Sequence, residues 1–343
     1  MSHTGEKEDV LSPQAVLIRM THGYCEAKAL QVAAELGIAD LIAENSKTAD
    51  QLSKIVGVHS DSLYRLLRAL ASLGIFKEIS DSTFENTPLS EAIRADVPGS
   101  VRDFVIMTPD DGFLLAWTKF MDVVRAGKPS FKDVNGCDQW EFFRRHPDMG
   151  ERFNKGISAR ASQVTSALLK SYDFSQFKTL IDVGGGLGTV LASILNKFPQ
   201  LHGCLYEQSS VIDGAKSFLE EQGVISRCNL ISGDFFESIP KDFDAYLMKS
   251  IIHDWEDEKA LAILKNCRAS INKNGKLLII DAVISRDNAP HHGKWKDLMM
   301  MVVYGSRERT EQEFQNLLRD SGFKLKQVIA LPLPDALIEA VPV

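Results

Sequence analysis

The chain has 343 residues, 44% of them hydrophobic, enough to bury a sizeable core in one large domain or two. Its formal net charge of −7 argues against a nucleic-acid or anionic-membrane partner. No apolar run approaches the ~18 residues of a membrane span, and the polar start "MSHTGEKEDV" is not a signal peptide, so a soluble, cytoplasmic protein is expected.

Residues 13–44 place apolar side chains at helical spacing, interrupted at Gly23 and Gly37. Thr48 is predicted to cap a helix that Gly57 ends. Ser60 or Asp61 is predicted to cap the next, whose Leu63, Leu66, Leu67 and Leu70 form one stripe. Short strands near 75–79 and 83–86 follow as a hairpin, giving a winged-helix outline. A DNA-binding regulator is one reading of that outline. A helix that reads DNA should be basic where it meets phosphates, yet residues 47–96 hold six basic and seven acidic residues. A scaffold and dimer surface is the other reading, and the charge favours it. The chain is expected to divide into a helical, winged-helix dimerisation domain over 1–165 and an α/β domain over 166–343.

From about residue 176 strands and helices alternate. "KTLIDVGGG", "GCLYEQ", "CNLISGDFF", "FDAYLMKSII" and "GKLLIIDAVI" read as strands with helices between them, and "GFKLKQVIAL" and "ALIEAVPV" as a closing pair. Such βαβ units imply a doubly wound, mostly parallel sheet. The five cysteines, Cys25, Cys137, Cys204, Cys228 and Cys267, are scattered without a CxxC pair and read as reduced thiols. No clustered His, Cys and carboxylate set suggests a metal; His291 and His292 are adjacent but fall in a polar loop.

"DVGGGLGTV" (182–190) joins the first of these strands to a helix, with glycines at Gly184, Gly186 and Gly188. Without Cβ atoms the backbone can approach a ligand closely beside a helix N-terminus. About twenty residues on, Glu207 ends the next strand, where a carboxylate can accept both hydroxyls of a ribose. Asp234 ends the third, placed to accept from an adenine amino group while Phe235 covers the ring. The set predicts a nucleoside at the carboxyl ends of successive strands.

"LIDVGGGLG", "SGDFF", "MKSIIHDWEDE" and "SRERTEQEFQNLLRDSGF" together resemble the S-adenosylmethionine-dependent O-methyltransferases of the caffeic acid and acetylserotonin type. That class includes bacterial enzymes acting on polyketides and phenazines. The resemblance covers nearly the whole chain and implies a Rossmann-like methyltransferase domain after an N-terminal dimerisation region. It implies that the loop from Gly184 through Gly186 to Gly188 flanks the methionine part of S-adenosylmethionine, with Asp182 also among the cofactor-binding residues. Glu207 and Gln208 would meet ribose and adenine, Gly233, Asp234 and Phe235 the adenine, and Lys249 would help hold the cofactor. The chain has "YEQSS" where relatives often carry Asp-Leu-Pro.

A phenol with a pKa of about 10 is mostly neutral at physiological pH, and a neutral imidazole can take its proton as the oxygen attacks. His253, at the end of the fourth strand, suits that task. The resemblance supplies two acidic partners for the ring, Asp281 at the end of the fifth strand and Glu308 in "SRERT". Asp254 either lines the pocket or caps the helix "EDEKALAILKN". Met299, Met300 and Met301 offer soft side chains for a flat acceptor. By match to the family, Phe153, Asn154 and Ile157 approach the acceptor, with Met107 and Trp117 on the same wall and Met20 reaching across a homodimer. The expected activity is metal-independent O-methylation of a phenolic or similarly aromatic small molecule. N-methylation, and cofactor-dependent hydroxylation or decarboxylation on the same fold, are the alternatives.

Overall fold

The structure is a computed structural model that describes residues 12–331 and 334–343; the polar start lies outside them. Two compact units interleave along the chain, one from residues 12–110 with Asp148–Ala159, the other from Asp111–Pro147 with Arg160–Val343. The sequence reading instead places one cut at residue 165.

In the first unit, helices Pro13–Met20, Gly23–Glu35 and Ile38–Leu41 precede a winged helix. Strand β1 (Lys47–Thr48) leads into helix Ala49–Val56, then helix Ser60–Ser72, β2 (Phe76–Ser80) and β3 (Thr83–Asn86), in the sheet order β1-β3-β2. Thr48 caps the first of these helices in a reciprocal box with Gln51, and Gly57 ends it at φ +73°. The second helix is capped by His59 rather than by Ser60 or Asp61. The backbone is still extended at His59, and its Nδ1 accepts from the Ser62 N–H at 3.4 Å. Leu63, Leu67 and Leu70 are buried with Leu52, Phe76 and Phe84, while Leu66 turns partly away.

The second unit holds β4 (Thr179–Val183), β5 (His202–Glu207), β6 (Cys228–Ser232), β7 (Ala245–Lys249), β8 (Lys276–Ile284), β9 (Arg309–Thr310), β10 (Phe323–Ala330) and β11 (Asp335–Pro342). The sheet order is β10-β11-β8-β7-β4-β5-β6, with β9 paired to β8. β4 to β8 run parallel, and β11 is antiparallel to both β8 and β10.

Residues alternate between faces, as the period of two requires. Leu180, Leu205, Leu247 and Leu278 pack with helices Thr189–Lys197 and Ser209–Glu221. Ile181, Cys204, Tyr246 and Leu277 pack with helices Asp257–Ser270 and Glu311–Asp320. With both faces covered, these strands read as near-continuous apolar runs, each buried aliphatic side chain contributing about 1.5–3 kcal/mol.

Chain order reverses between β4 and β7, so a crevice opens beyond their carboxyl ends. Two strand ends differ from the sequence reading. β6 stops at Ser232, two residues before Asp234. β7 stops at Lys249; Ser250, at φ +55°, turns the chain into a 3-10 turn, Ile252–Asp254, that carries His253. β8 ends at Ile284, as its apolar run predicts, held there by β11 and β9, so Asp281 lies inside the strand rather than at its end.

Candidate active site

The glycine loop closes over the end of β4. Asp182, 1% exposed, lies beneath it, and neither carboxylate oxygen has a hydrogen-bond partner among the described residues. Burial pushes this carboxyl up to about 7, Lys249 pulling it down and Glu207 pushing it further up. Gly186, at φ +59°, donates its N–H to Glu207 Oε2 at 3.0 Å, and Gln208 N–H donates to Glu207 Oε1 at 2.7 Å. A Cβ on Gly186 would meet nothing within 4 Å, so that side of the loop is open.

Gly185 went unmarked in the sequence reading, yet its Cβ would collide with the Asp182 carboxyl and stand 2.7 Å from Leu205 Cδ1. Gly185→Ala is therefore expected to destabilise the fold by about 1–3 kcal/mol and to weaken cofactor binding. Thermal melts and calorimetric titration with S-adenosylmethionine check both; wild-type values in the two would show that the floor of the loop yields.

Gly233 donates to the Glu207 backbone carbonyl at 3.0 Å, which ties the ends of β5 and β6 together. Asp234 is exposed and its Oδ1 accepts from Phe236 N–H at 2.8 Å. Phe235 and Phe236 pack against Trp255, the latter edge-on at 4.8 Å. Burial holds the Lys249 ammonium below its ordinary value, and its Nζ lies 3.3 Å from Ser250 Oγ.

His253 is buried, and the two sides of its ring differ. Nδ1 is 2.9 Å from Glu308 Oε1 and 3.9 Å from Asp281 Oδ1, while Nε2 is 3.3 Å from Asp254 Oδ1. Asp281 is thus beyond hydrogen-bond reach of the ring; fully buried, it acts on His253 as a nearby charge. Lys296 Nζ lies 2.6 Å from Glu308 Oε1 and 3.0 Å from His253 Nδ1. Burial and the Lys296 ammonium disfavour a charged imidazole; Asp281 and Glu308 outweigh them, and the ring sits above its ordinary pKa. Burial would raise Glu308, but His253 and Lys296 hold it well below the carboxylate range.

Asp254 does not cap the following helix, which begins at Asp257 with Glu256 at the capping position. Its carboxyl is raised chiefly by burial. His291 and His292 are not in a loop: His291 caps helix His292–Val303 by accepting from Gly293 N–H at 3.2 Å. Among the described residues no group of three or more His, Cys, Asp or Glu could hold a metal ion.

Two residues that sequence reasoning missed hold this arrangement. Lys296 stands on the buried stripe of helix His292–Val303 with Gly293, Met300 and Val303, and a lysine interrupting an apolar stripe was the available signal. Arg309, 1% exposed, donates to the Ile252 carbonyl at 2.9 Å, to the Trp255 carbonyl at 2.7 Å and to Asp257 Oδ1 at 2.8 Å. It thereby ties the turn carrying His253 to the strand next to Glu308.

Met300 is buried, and its helix packs against helix Asp111–Trp117, where Trp117 stacks at a tilt on Phe120 at 5.1 Å. Met107, Phe153, Asn154 and Ile157 belong to the first unit. There Met107 packs against Gly156, whose Cβ would lie 2.9 Å from the methionine sulfur, while Asn154 and Ile157 are exposed.

Residues 117–324 match the family model of an O-methyltransferase domain, and residues 18–95 that of an O-methyltransferase dimerisation domain. A phenazine O-methyltransferase of Lysobacter antibioticus is 37% identical over 329 residues, 96% of this chain and 96% of that one. A mitomycin-biosynthesis 6-O-methyltransferase of Streptomyces lavendulae is 34% identical over 89% of this chain and 87% of that one. Among solved structures, a methyltransferase of calicheamicin biosynthesis in its SAH-bound form has a TM-score of 0.90 at 30% identity, covering 98% of this chain and 100% of that one.

Proposed function

Because the chain belongs to the S-adenosylmethionine-dependent O-methyltransferase family, we propose that it methylates a hydroxyl group of an aromatic small molecule, with His253 as the base that takes the hydroxyl proton. The observation that carries the reading is the buried 2.9 Å contact between His253 Nδ1 and Glu308 Oε1. A carboxylate only accepts, so this contact keeps a proton on Nδ1 and leaves the lone pair on Nε2. Once Nε2 is protonated, Asp254 Oδ1, 3.3 Å away, stands beside it as a compensating charge. Asp281 and Glu308 then stabilise the imidazolium that has formed.

The residues around the glycine loop fit the cofactor. Asp182 has two buried oxygens without partners, Gly186 opens onto free space, and Glu207 stands at the end of β5. When bound, S-adenosylmethionine supplies a methyl group already activated on a cationic sulfur. Asp182, Glu207 and Lys249 hold it, with Gln208, Gly233, Asp234 and Phe235 at the nucleoside end. Trp117 and Met300 belong to the apolar wall of the acceptor site.

The chain acts as a homodimer. Its match to a dimerisation domain supports this, as do Leu17, Ile18, Met20 and Tyr24, apolar side chains left exposed on the first two helices. Among the described residues no helix is long and apolar enough to cross a membrane.

Incubation with methyl-labelled S-adenosylmethionine and a panel of phenols, hydroxyquinones, phenazines and aromatic amines tests the activity. Label is expected on a hydroxyl oxygen of at least one acceptor, read by mass and fragmentation. Transfer to nitrogen alone, or to none of the panel, would overturn the reading.

A further inference from the structure

Lys296 occupies a position where its own helix calls for an apolar residue, and its side chain is 9% exposed. A buried ammonium costs free energy unless its charge is matched. Glu308 Oε1 matches it at 2.6 Å, and the same ammonium stands 3.0 Å from His253 Nδ1. Lysine carries only donors, so Oε1 accepts from both Nζ and Nδ1–H, and Nζ meets the ring as a charge rather than as a hydrogen-bond partner.

The groups that face the ring come from four places. Asp254 is in its own turn, Asp281 is on β8, Glu308 precedes β9, and Lys296 is on helix His292–Val303. Lys249 on β7 interacts with Asp281 and Lys296, and Tyr304 with Asp254. Three carboxylates around one imidazole favour the imidazolium, which cannot accept a proton.

We propose that Lys296 is a positioning residue whose fixed charge offsets these carboxylates and so limits how far they favour the imidazolium of His253. The proposal rests on His253 acting as the base. With Lys296 present the ring already lies above its ordinary value, so removal of the ammonium raises it further.

The test measures kcat/KM against pH for the full-length protein and Lys296→Arg, Lys296→Gln and Lys296→Met. In parallel, the His253 ring is titrated by NMR with labelled histidine, its signal assigned by its absence in His253→Ala. In the Gln and Met variants the ring titration and the acid limb are expected to move up together by about one pH unit or more. At low pH that is a loss of at least about tenfold, narrowing as pH rises. Lys296→Arg restores both, and Kd for S-adenosylmethionine stays unchanged throughout. A wild-type ring titration in Lys296→Gln overturns the proposal, even if turnover falls equally at every pH. If the ring titration moves and the acid limb does not, the charge role stands and the assignment of His253 as base fails. Lys296→Gln keeps a donor without the charge and decides the matter should Lys296→Met fail to fold.

Discussion

Replacing His253 by alanine is expected to lower kcat by about 10²–10⁴-fold, the usual contribution of a positioned general base. Affinity for S-adenosylmethionine should be nearly unchanged, because the glycine loop and Glu207 lie at the ends of β4 and β5 while His253 is on the turn after β7. The pH dependence gives the sharper signature. In the wild type, activity is expected to fall on the acid side as the imidazole protonates, and this limb should vanish in the variant. The deficit should also shrink as pH approaches about 10, where a phenol loses its proton to solvent unaided. Steady-state turnover from acid to alkaline pH, with a calorimetric titration of the cofactor, checks all three. Equal turnover of variant and wild type throughout would reduce the ring to a packing group.

Glu308→Gln should be nearly as damaging, although its shape is preserved. A glutamine amide can donate to Nδ1, which forces the proton onto Nε2, and Lys296 loses its counter-charge and can donate to Nδ1 as well. Both changes select the tautomer that cannot accept the acceptor's proton, a fault worth about 10³–10⁴-fold where an imidazole base depends on a carboxylate for orientation. The measurement is kcat in a variant shown by its melting curve to be folded. A loss below tenfold would mean that Glu308 does not set the tautomer.

The positions of the glycine loop and Glu207 were legible because each stands where a run of apolar strand residues breaks, whereas His253 lies on a turn past the end of β7. The reach of Asp281 was not legible. Its distance from the ring depends on how β7 and β8 pair and on where the turn after β7 carries His253, which are contacts across long sequence separation rather than local preferences. Asp254 had two equal readings from sequence, and the backbone path settled the cap: the turn Ile252–Asp254 delays the helix until Asp257. Arg309 looks like a solvated charge in "SRERT", and Lys296 in "GKWKDLMMM" is marked only by its interruption of an apolar stripe. They are buried because partners more than forty residues away in sequence, His253 and the Ile252 carbonyl, are brought to them by the sheet.

Arg309 grips the backbone on both sides of His253 and directly follows Glu308 in the chain. One buried guanidinium therefore ties the turn that carries His253 to the segment that carries Glu308, and a displacement of either carries the other with it. On the proposed reading, the walls around the acceptor can change with little disturbance of the His253–Glu308 spacing, because that spacing is fixed from beneath by Arg309 rather than by the walls.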